Sequence, residues 1–239
     1  MIIDPVTFEV KSDGRPLQPV YVWEVPVRLW HWLMAIAMVV LFITGFLIGD
    51  PVTFGSFDTW TAYGFGYVRL AHYIAAMIFT ALFIGRVYWL IPGNRYARMI
   101  FFPPVWSLKW WKGVFTQAGY YLFLVKEAPE YAGHNPLAQL AMFGMYVLGS
   151  IAIIITGFAL YAQAWGWDTN WMFFFGWVFD LLGDAQCVRT VHHVLTYVFL
   201  LFCVAHCYMA IREDIMGGAT TLSSMGSGLR MFKHTGHEA

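Results

Sequence analysis

The sequence predicts an all-α integral membrane protein: a four-transmembrane-helix bundle with an interfacial helix in its long cytoplasmic loop. Three observations predict it. Hydrophobic residues make up 59% of the 239 and charged residues only 12%, with a mean hydropathy of +0.59. A soluble domain carries roughly 25% charged residues. The apolar letters also gather into four runs, at about 29–49, 70–92, 138–161 and 190–211, each near the ~20 residues that cross a bilayer as a helix. Finally, the runs lack the period-two alternation and closely spaced turns of a membrane barrel. The chain is read as a single membrane domain, 1–239.

The first 28 residues are polar or mixed and do not form a cleavable signal, so the first span is expected to act as an uncleaved anchor. With four spans, the N-terminus, the loop at 93–137 and the C-terminal tail share one side. Those segments hold Lys11, Arg15, Arg28, Arg95, Arg98, Lys109, Lys112, Lys126, Arg212, Arg230 and Lys233. The other two loops, 50–68 and 162–188, hold Asp50, Asp58, Asp168, Asp180 and Asp184 and no lysine or arginine. The positive-inside rule then puts both termini in the cytoplasm of a multi-pass protein of the bacterial inner membrane. Within the cytoplasmic loop, "PVWSLKWWKGVFTQAGYYLFLVK" (104–126) mixes aromatics with lysines and is too polar to span. It reads as a helix lying in the interface, aromatics toward lipid and lysines toward head groups. The outer stretch "AWGWDTNWMFFFGWVFD" (163–180) suits both a membrane aromatic belt and a protein partner. The Gly/Ser-rich tail after Met216 is expected to be mobile unless a partner holds it.

Cys187, Cys203 and Cys207 form neither CxxC nor CxxCH, which argues against a disulfide framework, a zinc site or a covalently attached haem. Nor is there a Walker-type loop, a Ser/His/Asp arrangement, a carboxylate dyad in a span or a basic nucleic-acid patch, and the net charge is zero.

The chemistry lies in the histidines. His31, His72, His192 and His206 fall inside the apolar runs, where an ionisable side chain is costly and marks function. By depth they sort into pairs, His72 with His192 near the outer side and His31 with His206 near the inner. The last two of the four spans' histidines, 192 and 206, are fourteen residues apart. That is about 40° short of four full turns and roughly 21 Å of rise. One helix could thus give an axial ligand to each of two non-covalent b-type haems stacked across a bilayer. Two imidazoles fill both axial positions of an iron and suit it to electron transfer. His193 points about 100° away from His192 and is read as a packing or partner-facing residue.

Three words, "VRLWH" (27–31), "VRLAH" (68–72) and "VRTVH" (188–192), place an arginine three residues before a histidine, on nearly the same helical face. Haem propionates need cations, and arginine binds carboxylates bidentately. Arg69 and Arg189 would serve the outer haem, and Arg28 and Arg86 the inner one, the alternative being interfacial snorkelling. A second echo, "ITGF" at 43–46 and 155–158, hints with these words at partial internal similarity. Its glycine would let something bulky, or another backbone, approach closely.

The words "YVWEVPVRLWHWL", "GYVRLAHY", "GNRY", "GHNPLAQLAMF", "ITGFALY" and "AHCYMAIREDIM", in this order, resemble the b-type cytochrome subunit of membrane-bound nickel–iron uptake hydrogenases. The resemblance covers about residues 20–232. The four-helix di-haem plan is shared with formate dehydrogenase cytochrome subunits. The resemblance implies a hydrogenase, with small and large subunits, docked on the periplasmic face. It implies electrons passing from iron–sulfur clusters through the outer and inner haems to membrane quinone. Its haem histidines fall on His31, His72, His192 and His206. Where the family often reads H-x-x-H-H, this chain has "RTVHH", with Arg189 in place of a histidine. His134 and Asn135, in "GHNPLAQ", resemble an asparagine-containing motif near the quinone site of the formate dehydrogenase cytochromes; the alternative is that Asn135-Pro136 caps the third span. Rival readings keep the haems but change the donor to formate dehydrogenase, or make the chain a haem-free scaffold.

Overall fold

The computed structural model describes residues 2–11, 19–51, 63–126, 129–217 and 220–232. Arg15, Asp58 and Lys233, used above to orient the chain, lie outside the described residues. In chain order the elements are β1 (Ile2–Ile3), β2 (Val10–Lys11), β3 (Val20–Tyr21), α1 (Val25–Gly49), α2 (Gly64–Tyr88), α3 (Arg95–Arg98), α4 (Leu108–Tyr121) and α5 (Pro136–Ala141). A π-helical segment (Met142–Leu148) follows, then α6 (Gly149–Trp165), α7 (Asn170–Phe175), α8 (Trp177–Leu182), α9 (Ala185–Gly217), α10 (Thr221–Ser227) and β4 (Leu229–Arg230).

Four helical stretches are long and apolar enough to cross a membrane: Val25–Gly49, Gly64–Tyr88, Pro136–Trp165 and Ala185–Ile215. The predicted fold class stands, and the helices run beyond the apolar runs at 29–49, 138–161 and 190–211, while the second helix starts before 70 and ends short of 92. Hydropathy marks where apolar letters stop, whereas helical hydrogen bonding continues into the polar boundary. Three VRxxH arginines therefore sit about one turn inside their helices. The second span ends early, at Tyr88, because Pro92 cannot continue a helix and the chain turns over Trp89–Gly93. The third span is composite: its middle is the π segment, a wider turn often found at functional positions and invisible to hydropathy. Many side chains on these helices face outward and are apolar, among them Ile36, Ile43, Ile84, Leu201 and Val204, as contact with lipid tails requires.

The interfacial helix predicted over 104–126 is shorter. It begins at Leu108, where the Ser107 hydroxyl accepts the Trp110 N–H, and ends at Tyr121, two residues before Phe123 takes a positive φ of 62°. Trp110, Val114 and Gln117 are buried on one face, while Leu108 (87% exposed) and Phe115 (70%) stand out on the other. The stretch 163–180 holds α7 and most of α8, two short helices that meet at Gly176.

The chain divides into two compact units. The first comprises residues 1–28, 89–149 and 201–239, with a core around Val22, Trp23, Val27, Tyr96, Ala97 and Phe232. Here β3 pairs antiparallel with β4 (Val20 opposite Arg230), and the buried Arg230 guanidinium donates to the Gly133 carbonyl at 2.7 Å and the Thr221 hydroxyl at 3.1 Å. The tail expected to be mobile is thus tied by its own chain through residue 232. The second unit comprises residues 29–88 and 150–200, with a core of Ala159, Ala162, Met172, Val178, Phe179 and Val188.

Candidate functional site

Both histidines of the predicted outer pair lie in the second unit, and both wall one cavity of about 1010 Å³ formed by α1, α2, α6 and α9. His72 projects from α2 and His192 from α9. Behind each ring stands a nearly buried threonine from the preceding span. Thr44 Oγ1 lies 2.9 Å from His72 Nδ1, and Thr156 Oγ1 lies 2.9 Å from His192 Nδ1. A hydroxyl has one hydrogen to give, and each threonine gives it one turn back along its own helix: Thr44 to the Val40 carbonyl at 2.6 Å, Thr156 to the Ala152 carbonyl at 2.8 Å. With that hydrogen so committed, the threonine oxygen is assigned as acceptor from the ring. Nδ1 carries the proton, and in the neutral ring Nε2 keeps its lone pair for a metal.

The residue after each threonine is glycine. A Cβ on Gly45 would stand 3.5 Å from His72 Cε1, and one on Gly157 would stand 3.1 Å from His192 Cε1. The two "ITGF" words are therefore two seats for imidazoles. The sequence showed the echo and the need for close approach, but not what approaches.

Arg69 and Arg189 line the same cavity. The Arg69 guanidinium lies 4.8 Å over the Phe65 ring, and Arg189 Nη2 donates to Gln163 Oε1 at 2.9 Å. His193 stacks on Tyr197 (5.4 Å, 6°) and leans on Gly49, where a Cβ would lie 2.8 Å from its Cε1. His193 and Gly49 also line the cavity that His72 and His192 wall.

The inner histidines belong to different units, His31 to the second and His206 to the first. His31, on α1, meets Trp32 edge-on at 5.1 Å. His206, on α9, stacks on Phe202 (5.7 Å, 17°), which stacks on Tyr146 of the π segment at 6.0 Å. Arg86 is 3% exposed, its guanidinium 5.4 Å over the Trp30 ring. Arg28 donates from Nη1 to the Gly226 carbonyl.

Asn135 caps α5. Its Oδ1 accepts the Ala138 N–H at 2.7 Å, with Pro136 in the first turn. Its Nδ2 donates to the Tyr121 hydroxyl at 3.1 Å, and Tyr121 donates on to Glu213 Oε2 at 3.3 Å. Burial pushes the Tyr121 phenol up to about 12, so it remains a donor at neutral pH. His134 meets the Trp23 ring edge-on at 4.8 Å. Arg212 donates to the Tyr120 and Tyr121 carbonyls at 3.0 Å each. Sequence reasoning missed this Asn135–Tyr121–Glu213 network; the only signal was a carboxylate near the end of a span, in "REDIM".

Among the described residues, no three His, Cys, Asp or Glu side chains gather as a metal-ion site. A haem iron asks for only two axial protein ligands. The cavity fits one: paired imidazoles with Nε2 available, apolar walls, two arginines, and a volume at the upper end of cofactor pockets, about 300–1,000 Å³.

Four apolar spans and a histidine-walled cavity define the class, a membrane-embedded b-type cytochrome. The chain belongs to the prokaryotic cytochrome b561 family, whose model matches residues 22–228. It is 44% identical to a "Probable Ni/Fe-hydrogenase B-type cytochrome subunit" of Azotobacter vinelandii, over 95% of each chain. A subunit of the same name from Cupriavidus necator is 43% identical over 93% of this chain and 91% of its own. The "Probable Ni/Fe-hydrogenase 1 B-type cytochrome subunit" of Escherichia coli is 42% identical over 89% of this chain and 91% of its own.

Proposed function

We propose that this chain is the haem-carrying membrane subunit of a Ni/Fe hydrogenase, anchoring it and passing its electrons to membrane quinone. The relatives' names supply the hydrogenase. The observation that carries the electron-transfer reading is the pair of imidazoles on one cavity, each with Nδ1 bound to a threonine and Nε2 available. Haem b held between two imidazoles exchanges single electrons and offers no open axial position to oxygen or substrate.

His72 and His192 would hold the outer haem, with Arg69 and Arg189 at its propionates and mostly apolar walls from α1, α2, α6 and α9 around it. The inner haem falls to His31 and His206, with Arg28 and Arg86 as cationic partners, on the strength of the fourteen-residue spacing along α9. Charge bias supports cytoplasmic termini in the bacterial inner membrane. The hydrogenase then docks on the periplasmic side, where Trp167, Phe173 and Phe174 are exposed. On the cytoplasmic side His134 is read as the group that meets quinone and supplies a proton on its reduction, with Asn135 fixing the loop through its cap.

The test is an optical difference spectrum of native membranes given hydrogen and then dithionite. Hydrogen should reduce a b-type signal that quinone reoxidises. A signal reduced by dithionite alone would remove the hydrogenase and leave the haem.

A further inference from the structure

Thr44 and Thr156 belong to different spans and meet histidines 28 and 36 residues away, yet they build the same arrangement. In each, a buried hydroxyl donates to the carbonyl four residues back, lies 2.9 Å from Nδ1 of an imidazole on the next span as its assigned acceptor, and is followed by a glycine that leaves room at Cε1. We infer that Thr44 and Thr156 are paired positioning residues that fix the tautomer and ring plane of the two axial histidines and thereby set the reduction potential of the haem between them. The inference rests on the reading of His72 and His192 as haem ligands.

The chemistry is specific to a hydroxyl already committed as a donor. An outer partner that accepts the Nδ1 proton makes the imidazole more basic toward a metal, a carboxylate strongly so. A hydroxyl oxygen carrying no charge does so weakly. Both axial ligands here have the weak version, so the device holds the rings in register without loading the iron with donated charge. Without the acceptor, the ring can place its proton on either nitrogen, and the Nε2–H tautomer cannot ligate.

Thr156→Val keeps the side chain's branching and removes the hydroxyl. The test compares purified Thr156→Val, Thr44→Val and Thr156→Ser complexes by redox titration of the haem bands, low-temperature electron paramagnetic resonance and haem count per polypeptide. Each valine variant should weaken retention of the haem at His72/His192 by about tenfold or more and move the midpoint of what remains upward. The inner haem signal, which reports that the protein has folded, stays in place. Thr156→Ser should restore retention, midpoint and resonance together. An unchanged midpoint and resonance in both valine variants would overturn the inference, as would failure of serine to restore them. His192→Ala serves as the control on the underlying reading: if it keeps the outer haem, the ligand assignment has failed, whatever the threonine variants do.

Discussion

Gly157→Ala gives a direct test of how His192 is seated. The added Cβ would meet His192 Cε1 at 3.1 Å, against an ordinary contact nearer 3.4–4 Å, so the ring must give by a few tenths of an ångström. It cannot slide freely, because Nδ1 is held 2.9 Å from Thr156 Oγ1 on the same helix as the new methyl group. Metal sites keep their bonds within about 0.2 Å of ideal, so a displacement of that size disturbs ligation. Overpacking of this kind costs about 1–3 kcal/mol, only partly offset by the ~1 kcal/mol gain of replacing glycine by alanine in a helix. The matched substitution Gly45→Ala meets His72 Cε1 at 3.5 Å, an ordinary contact, and should be near neutral. The assay is haem content per polypeptide, with the thermal midpoint of the Soret band. Gly157→Ala should lose haem or melt earlier, and Gly45→Ala should match the parent. Equal behaviour of the two, or the reverse order, would refute the seating geometry.

Other outcomes follow from the same residues. His192→Ala should remove one of two haem signals and His206→Ala the other; two haems surviving in both variants would discard the ligand scheme. His193→Ala should leave haem content unchanged if His193, stacked on Tyr197, is a packing residue; loss of one haem signal in that variant would make His193 a ligand. His134→Ala should slow quinone reduction with both haems in place, measured as hydrogen-to-quinone turnover against haem count, and haem loss would refute the assignment. In the N-terminal hairpin, the Lys109 ammonium beside Asp4 holds that carboxyl far below the usual carboxylate range. A depressed carboxylate stabilises above its unfolded pKa of about 3.9 and loses that contribution as pH falls toward its folded value. Amide protection in residues 2–11, as exchange corrected for its intrinsic pH dependence, should therefore stay flat from pH 7 to 5 and fall only below about pH 4; a fall near pH 6 would reject the pairing.

The sequence by itself determined the properties that depend on composition and on spacing along one helix. Apolar runs gave four helices long enough to span, and helix geometry put the histidines of the 192–206 interval within about 40° of each other; the direction drawn from lysines and arginines stays an expectation. These were legible because a membrane leaves a backbone few alternatives to helix, and helix geometry then fixes rise and rotation. Helical hydrogen bonding outlasts the apolar runs at several ends, and Arg230 holds the tail through Gly133 and Thr221, pairings that lie far apart in the chain. Asn135 in sequence fits either a helix cap or a quinone contact, and its carbonyl oxygen accepts the Ala138 N–H as a cap. The tertiary structure alone decided what the "ITGF" words do. A threonine in a span looks the same in sequence whether its oxygen faces lipid or an imidazole on the next helix. Only packing α1 against α2 and α6 against α9 brings Thr44 to His72 and Thr156 to His192. The physical reason is that a hydrogen bond across 28 or 36 residues depends on how two helices are rotated against each other, and helical periodicity within either one does not set that rotation.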